Sequence, residues 1–468
     1  MCVIGAGSGG LTVAAAAAQF GQKVVLIEKA KMGGDCLNYG CVPSKALLAA
    51  AKQAHAMRSG AAFGIAPAEP MIDFRQVYKH VHLVIAAIEP NDSQERFEKL
   101  GVKVIRAAAR FTGPDTVEAG GEVITARRFV IATGSRPAIP SIPGLGDTPF
   151  LTNESIFDNR KCPEHLLIIG GGAIGMEMAQ AHRRLGAKVT VLEAFDPLSK
   201  DDPELVQIVL EQLKAEGIEI LARVKISSVK KAGKNIKITI EDGGQSRIIT
   251  GSHLLVAAGR KPNIENLGLD AAGVATTPRG IGVDAGLRTS NRKVHAVGDV
   301  AGGLQFTHVA GYQAGLVVRN ALFRLPVKNR TEQIPWVTYT DPELAQVGLS
   351  EPEARKNHAH RQISVLRWPF HDNDRAQAER KTAGLIKVVV GKRGRILGAS
   401  IVGSNAGELI APWALAISSE LKIKAFADVV FPYPTLGEIN KRAAITYYAG
   451  LATKPWMRNV IRLLGKFG

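Results

Sequence analysis

The feature that most constrains this fold is a glycine-rich pattern that occurs twice, each time between an apolar strand and a helical run. In the first copy, Gly5, Gly7 and Gly10 follow a predicted strand and open a predicted helix. A second strand then ends on Glu28. Such a unit binds a dinucleotide: the first glycine permits the turn, the second lets the pyrophosphate approach, and the third lets helix and strand pack closely. The phosphates lie on the helix N-terminus, and the acid accepts hydrogen bonds from the ribose hydroxyls.

The second copy repeats this order with Gly170, Gly172 and Gly175, and its following strand ends on Glu193. In both copies the first glycine and the terminal acid are 23 positions apart. The chain is therefore expected to hold two adenine dinucleotides. Because the second acid is not followed by an arginine, and Lys200 is a weak substitute, the second site is predicted to prefer NADH over NADPH.

Two cysteines, Cys36 and Cys41, lie between these units in a Gly-rich loop that runs into a predicted helix over Ala46–Met57. A disulfide that closes so small a ring stabilises the fold by only about 2 kcal/mol, so redox chemistry explains the pair better. A helix N-terminus and the nearby Lys45 would favour a thiolate. The alternatives are a zinc half-site or two unrelated buried thiols. Since no second pair has ligand spacing, no metal site is predicted.

Composition sets broader limits. The 468 residues are enough for three domains, and 46% hydrophobic residues fit a soluble globular protein. The net charge is +17, but the basic residues are scattered and no nucleic-acid motif accompanies them, so no nucleic-acid partner is predicted. One close cysteine pair among only four cysteines fits a reducing, cytoplasmic compartment, and Cys2 and Cys162 are expected to be inert.

Further motifs follow in a fixed order. Thr133 and Gly134 belong to Ala-Thr-Gly-Ser-Arg-Pro after a predicted strand, Gly259 opens Gly-Arg-Lys-Pro-Asn, and Asp299 ends Val-Gly-Asp. With the two glycine units and the cysteine pair, this order resembles the flavin-dependent pyridine nucleotide–disulfide oxidoreductases along essentially the whole chain. That family includes dihydrolipoamide dehydrogenase, glutathione reductase and mercuric reductase.

The resemblance implies an α/β fold with two nested Rossmann-like dinucleotide-binding domains, for FAD and NAD, and a C-terminal α+β dimerisation domain. FAD would lie along the first unit, with Asp299 on its ribityl chain and Thr307 to Ala310 near its pyrimidine edge. NADH, or less favourably NADPH, would occupy the second unit. The expected limits are 1–145 and 266–332 for the two parts of the FAD domain, 146–265 for the NAD(P) domain, and 333–468 for the dimerisation domain with a basic tail.

The resemblance also implies roles for the cysteines in a homodimer whose active site is shared across the interface. Cys41 would be the flavin-facing thiol that forms a charge-transfer complex, and Cys36 the exchange thiol that meets the substrate. Lys45 would lie near flavin N5, paired with Glu177. Electrons would pass from NADH through the flavin and the disulfide to a small disulfide, a thiol-bound acceptor or a protein redox partner. Exchange is expected to need an accessible Cys36 of low pKa.

One position departs from the best-known relatives. Dihydrolipoamide dehydrogenase and glutathione reductase have His-Pro-Thr-x-x-Glu where this chain has Tyr433, followed by Pro-Thr-Leu-Gly and Glu438. An unperturbed tyrosine has a pKa of about 10 and cannot replace histidine as a proton shuttle at neutral pH; we expect Glu438 to orient the phenol. A tyrosine at this position resembles the mercuric reductase branch. That branch, however, ends in a cysteine pair, whereas no cysteine of this sequence follows Cys162. A dihydrolipoamide dehydrogenase that tolerates tyrosine and a mercuric-type metal ion reductase are the alternative functions.

The C-terminal tail is predicted to form a basic amphipathic helix. Basic residues recur every four positions and apolar residues fill the other side; they are Lys454, Arg458, Arg462 and Lys466, and Trp456, Val460, Leu463 and Phe467. Such a helix can lie on an anionic membrane. The alternatives are packing on the dimer or a solvated end. A membrane-associated redox partner protein is therefore a further functional alternative.

Overall fold

The protein is described here from a computed structural model, which covers residues 1–357, 363–452 and 454–467. Packing divides it into two compact units, which we describe separately. Unit 1 comprises residues 1–60, 66–194 and 219–330, and unit 2 comprises residues 61–65, 195–218 and 331–468. This division places the segment 195–218, within the expected NAD(P) domain, in unit 2; the domain limits given above stay a prediction.

Unit 1 contains a five-stranded parallel sheet in the order β19-β7-β1-β2-β3. Its inner strands β7 and β1 are wholly apolar and buried, as expected for a sheet covered on both faces. The elements from residue 1 to 137 are β1 (Cys2–Ile4), α1 (Ser8–Gln19), β2 (Val24–Ile27), α2 (Gly34–Asn38), α3 (Cys41–Arg58), α4 (Phe74–Ile88), α5 (Gln94–Lys99), β3 (Val102–Ile105), β4 (Ala109–Gly113), β5 (Thr116–Ala119), β6 (Glu122–Thr125), β7 (Phe129–Ile131) and β8 (Ser135–Pro137).

The chain then builds a second parallel sheet, β11-β10-β9-β15, before it returns to the first one through β19. This return is the nesting that the two glycine units predict, and the predicted fold class is confirmed. The elements are β9 (His165–Ile169), α6 (Ala173–Arg184), β10 (Lys188–Leu192), α7 (Pro203–Ala215, in unit 2), β11 (Glu219–Leu221), β12 (Lys225–Ala232), β13 (Asn235–Asp242), β14 (Gln245–Gly251), β15 (His253–Val256), β16 (Arg260–Pro262), β17 (Thr276–Thr277), β18 (Gly280–Ile281), β19 (Val294–Ala296) and α8 (Thr307–Phe323).

Unit 2 is built on an antiparallel sheet in the order β20-β21-β24-β23-β22. Trp413 and Phe370 are fully buried in its core. Besides α7, the elements are β20 (Trp336–Thr338), β21 (Glu343–Gly348), α9 (Glu351–Asn357), β22 (Ser364–Pro369), α10 (Asp374–Ala378), β23 (Leu385–Val390), β24 (Ile396–Gly403), α11 (Ala406–Leu409), α12 (Ala411–Ser418), α13 (Lys424–Asp428), α14 (Glu438–Ala452) and α15 (Pro455–Leu464).

Two helix boundaries have a local cause. The helical segment 74–99 is broken between α4 and α5, because Pro90 interrupts it and the Ser93 hydroxyl accepts a hydrogen bond from the amide of Arg96. Helix α3 begins at Cys41, five residues before the predicted start, so that this cysteine belongs to the first helical turn.

None of the helices in the described residues is long and apolar enough to cross a membrane.

Candidate active site

Four glycines close the two predicted turns with the same geometry. A Cβ on Gly5 would lie 2.4 Å from the carbonyl oxygen of Ala132, and a Cβ on Gly170 would lie 2.4 Å from that of Ala257. The third glycine of each turn packs on the first: a Cβ on Gly10 would lie 1.8 Å from the Gly5 oxygen, and on Gly175 2.0 Å from the Gly170 oxygen. Internal packing alone therefore excludes a side chain at these positions.

The middle glycines have a different explanation. A Cβ on Gly172 would meet no atom of the described residues within 4 Å, and on Gly7 only the Gly34 Cα at 3.9 Å. Each of these glycines caps a helix, α6 or α1, whose first amides receive no side-chain cap from the part of the chain that the structure describes. Free amides beside open space fit the approach of a pyrophosphate, so both turns fit a dinucleotide.

The acid that ends each unit is held by its own turn. Glu28 Oε2 accepts from the Ala6 amide at 2.7 Å, and Glu193 Oε2 accepts from the Gly171 amide at 2.5 Å. Both carboxylates are thus fixed at the carboxyl edge of their sheets, where open parallel sheets bind ligands.

Asp299 lies at this same edge of the first sheet, in the turn that follows β19. Its Oδ2 accepts from the Ser135 hydroxyl at 2.5 Å and lies 3.6 Å from Arg260 Nε. Burial raises the pKa of the Asp299 carboxyl. The first unit thus has a glycine turn, a fixed acid and a polar group along one edge of its sheet, which are the groups that the family resemblance places around FAD.

Thr133 and Gly134 belong to a motif that binds another segment of the chain. The Thr133 hydroxyl donates to the Asn263 carbonyl at 2.8 Å, and the Asn263 amide group donates back to the Thr133 carbonyl at 2.9 Å. Gly134 has a φ of +66° and Gly259 a φ of +130°, values that favour glycine. The two motifs therefore bind each other where β8 and β16 pair.

The cysteine pair lies beside the first phosphate turn. Cys36 is in α2 and Cys41 opens α3. A Cβ on Gly34 would lie 2.7 Å from the Gly7 Cα, so the loop that carries Cys36 runs directly against this turn. Both cysteines are free thiols, and the Cys41 Sγ lies 3.3 Å from the Thr307 hydroxyl.

The two thiols differ in pKa. The hydrogen bond from Cys36 lowers the pKa of Cys41 to about 6, and the Thr307 hydroxyl and the charge of Lys45 act in the same direction. The same bond raises the pKa of Cys36. The expectation of a low-pKa Cys36 is therefore wrong for the dithiol: the thiolate is on Cys41, and Cys36 keeps its proton.

Lys45 and Glu177 form the predicted pair. Helix α3 packs against α6, and Lys45 Nζ donates to Glu177 Oε2 at 2.9 Å. The carboxylate is only 5% exposed, so the ion pair fixes the lysine one turn after Cys41. Ala310 lies in the first turns of α8, where a Cβ on Gly9 would come within 3.4 Å of its Cβ. A small side chain is needed there for α8 to approach the phosphate turn.

In unit 2, the Tyr433 phenol is oriented by a residue that the sequence did not single out for this role. Its hydroxyl donates to Asp374 Oδ2 at 2.8 Å, and this bond raises the pKa of Tyr433. Glu438 instead lies 3.5 Å from Arg442 Nη2. Within one chain, Asp374 thus replaces Glu438 as the group that orients the phenol.

A second missed feature is an ion pair next to Cys36. Arg260 Nη2 lies 3.2 Å from Asp35 Oδ1, and Asn153 donates to the same oxygen at 3.1 Å. Arg260 also donates to the Ser135 hydroxyl at 2.7 Å. An acid directly before Cys36 was a visible signal, but its partner is more than 200 positions away along the chain.

Two dinucleotide units and a thiol pair beside the first of them define a class: an oxidoreductase that moves electrons between two bound nucleotides and a dithiol. The family model described as pyridine nucleotide-disulphide oxidoreductase matches residues 1–314, and that of the family's dimerisation domain matches residues 334–444. The chain belongs to this family of flavoprotein enzymes, which use FAD and NAD(P)H and form homodimers.

The chain is similar to several characterised members. A mercuric reductase of Bacillus cereus is 36% identical over 448 residues, which are 95% of this chain and 71% of that protein. A dihydrolipoyl dehydrogenase of Thermus scotoductus is 37% identical over 463 residues, 94% of this chain and 95% of that protein. Among solved structures, LpdA of Mycobacterium tuberculosis aligns with a TM-score of 0.87 at 26% identity, covering 95% and 99% of the two chains. The Cu(II) complex of RclA, an HOCl-induced flavoprotein disulfide reductase of Escherichia coli, aligns with a TM-score of 0.83 at 27% identity, covering 94% and 98%.

Proposed function

We propose that this enzyme transfers electrons from NADH, by way of FAD, to the Cys36–Cys41 pair and on to a disulfide or a thiol-bound acceptor. The observation that carries the proposal is the hydrogen-bonded thiol pair. Its geometry keeps Cys41 as the thiolate, beside Thr307 and one turn from the fixed Lys45. Bound FAD would supply hydride acceptance from the nicotinamide and return an electron pair to the sulfurs.

The chain's own residues then manage the proton. Two electrons and one proton convert the disulfide into a Cys41 thiolate and a Cys36 thiol. When Cys36 attacks the acceptor sulfur, its proton can pass to Cys41, which already accepts a hydrogen bond from it. This attack breaks the S–S bond of the acceptor, forms a mixed disulfide on Cys36 and expels the first acceptor thiolate, which takes the proton from Cys41. The Cys41 thiolate then attacks the Cys36 sulfur, expels the second acceptor thiolate, which takes a proton from solvent, and restores the Cys36–Cys41 disulfide. No histidine is required for this order of events.

The proposed role of Tyr433 is that of a neutral hydrogen-bond donor on the acceptor side of a site shared across the dimer. The bond to Asp374 supports this role, because it raises the phenol pKa and so disfavours the phenolate. The second candidate function is reduction of a thiol-bound metal ion, favoured by Tyr433 and by the relatives named mercuric reductase. The third is dihydrolipoamide dehydrogenase.

An anaerobic acceptor screen distinguishes these functions. The NADH-reduced enzyme is mixed with lipoamide, glutathione disulfide, Hg(II), Cu(II) and quinones, and the rate of flavin reoxidation is followed. Reoxidation by a disulfide supports the main proposal, and reoxidation by a metal ion alone supports the second. The proposal fails if only quinones reoxidise the flavin and if they reoxidise the flavin of the Cys36→Ser variant as fast as that of the wild type. The thiol pair would then not be on the electron path.

We further propose that the tail makes peripheral contact with an anionic membrane. The compartment that we propose for the enzyme is a reducing one. Helix α15 spans most of the tail, and its apolar residues are exposed, up to 61% at Ile461 and Leu464; Phe467, which follows the helix, is 80% exposed. Lys454, Arg458 and Lys466 accompany them. Flotation with vesicles of neutral and of anionic lipid tests this. Full-length protein should float with anionic vesicles more than protein that ends at residue 452; equal flotation would refute the contact.

A further inference from the structure

Four arginines converge at the edge of the first sheet opposite to the dinucleotide turns. Arg128 immediately precedes β7, Arg288 and Arg292 precede β19, and Arg324 ends α8. With Asn320 they line a pocket of about 250 Å³. Strands β7 and β19 carry Thr133 and Asp299 beyond their carboxyl ends, so this pocket lies at the amino ends of the same strands. It is separate from the site described above.

These arginines lack the carboxylate partners that several other arginines of unit 1 have. Arg136 pairs with Glu265 at 2.7 Å, and Arg247 with Glu219 at 2.8 Å. By contrast, none of the four pocket arginines forms an ion pair with a carboxylate in residues 1–357, 363–452 or 454–467. Because like charges held close together repel each other, an anion from outside would stabilise the arrangement.

A buried asparagine at the base of the pocket fixes the orientation of one of these arginines. Asn320 is buried, 8% exposed, and its Oδ1 accepts from Arg288 Nε at 3.1 Å and Nη2 at 2.8 Å. Its Nδ2 donates to the Leu325 carbonyl at 3.0 Å, which fixes the amide. Arg288 is therefore held in one orientation by a buried side chain, as expected of a built binding site rather than of a solvated cation.

The positive potential of the pocket reaches into the protein. His295 is fully buried beside Asn320, and burial, helped by the charges of Arg288 and Arg128, lowers its pKa to about 4. The His295 ring is therefore neutral at neutral pH and does not change the net charge of the arginine pocket.

We propose that this pocket binds a small polyanion with two or more phosphate groups. Guanidinium groups present paired N–H donors that match phosphate oxygens, and four of them suit a ligand of several negative charges. The pocket is smaller than the 300–1,000 Å³ or so typical of sites that enclose a whole ligand. It therefore holds the phosphate chain, either free as inorganic polyphosphate or as part of a nucleoside polyphosphate.

The test is calorimetric titration of the FAD-loaded dimer, with saturating NAD⁺ to fill the second nucleotide site, at constant ionic strength. The probes are inorganic triphosphate and ATP. The variant is the double substitution Arg292→Gln and Arg324→Gln. Both arginine side chains are exposed and do not pack in the core. The matched control is Arg75→Gln with Arg110→Gln, which removes the same charge from two exposed arginines elsewhere in unit 1. Thermal melts without anion confirm that each variant is folded.

We expect saturable binding of triphosphate, with a Kd raised about tenfold or more in the pocket variant and less than about twofold in the control. Equal affinities for triphosphate and ATP assign the site to the phosphate chain alone, and tighter binding of ATP assigns it to a nucleotide. Absence of saturable binding to the wild type, or equal loss in the pocket variant and the control, would overturn the proposal.

Discussion

At the scale of single residues, the chemistry depends on which sulfur carries a proton. The structure places three favourable groups around Cys41: the Cys36 thiol, the Thr307 hydroxyl and the Lys45 ammonium. Each stabilises the thiolate, so Cys41 is ionised above about pH 6 instead of near the ordinary thiol value. Cys36 is the sulfur that remains protonated until an acceptor arrives.

This account predicts the titration of the reduced enzyme. The ultraviolet thiolate absorbance should rise with a midpoint near pH 6, since the pKa of Cys41 is lowered to about 6. Thr307→Val removes one hydrogen bond to the thiolate and should move the midpoint upward. Thr277→Val, which removes a hydroxyl elsewhere in unit 1, should leave it unchanged. A wild-type midpoint near 9, or an unmoved midpoint in Thr307→Val, would contradict the proposed proton position.

A second residue-level prediction concerns Tyr433. If a missing base limits lipoamide turnover, Tyr433→His should raise it about tenfold or more, because a positioned general base contributes a factor of at least about 10². Tyr433→Phe serves as the control that removes the phenol without adding a base. Flavin reduction by NADH, measured by stopped flow, should be the same in all three proteins. No gain in Tyr433→His would reject the missing base as the explanation.

At the scale of elements, what could be predicted from the sequence follows from local chemistry. The turns at Gly5 and Gly170 were predictable because the third glycine of each turn packs on the first, five positions away. The short helix α2 was not, because it depends on positive φ angles at Gly33 and Gly34 and on contact with the Gly7 turn.

The orienting pairs could not be derived either. Arg260–Asp35 and Tyr433–Asp374 join residues that are far apart in sequence, and many acids compete for each partner on composition alone. Lys45–Glu177 came from the family resemblance, not from spacing. Tertiary contacts between charged side chains are thus the part of the site that a single sequence leaves open.

One buried ion cluster in unit 2 makes an element-level prediction. Lys387 of β23 donates to Asp202, the cap of α7, at 2.9 Å, and lies 2.7 Å from Glu351 of α9. Lys387→Met leaves buried carboxylates without their cation and should lower the free energy of unfolding by about 3–5 kcal/mol. Lys424→Met breaks an exposed pair with Asp428 and should leave the free energy of unfolding almost unchanged, because exposed ion pairs contribute little. Urea unfolding measures both; equal small effects would show that the cluster does not stabilise unit 2.

At the scale of the whole molecule, the chain contains two copies of one nucleotide-binding unit, and we propose that the second copy selects the nicotinamide nucleotide. Glu193 is held by the Gly171 amide at 2.5 Å. Its negative charge would repel a 2′-phosphate and accept from a 2′-hydroxyl. Glu193→Gln should therefore lower the ratio of kcat/KM for NADH to that for NADPH by about tenfold. The matched change Glu211→Gln on α7 should not move this ratio. An unchanged ratio in Glu193→Gln would show that another group selects the nucleotide.

The central claim is that electrons from NADH reach Cys41 through the flavin and leave through Cys36. Anaerobic titration with NADH, followed by absorbance, tests it most directly. We expect the wild type to develop a long-wavelength thiolate-to-flavin charge-transfer band after two electrons. Cys36→Ser should retain a band, because Cys41 is the thiolate, and Cys41→Ser should lose it. A band that persists in Cys41→Ser and disappears in Cys36→Ser would contradict the account.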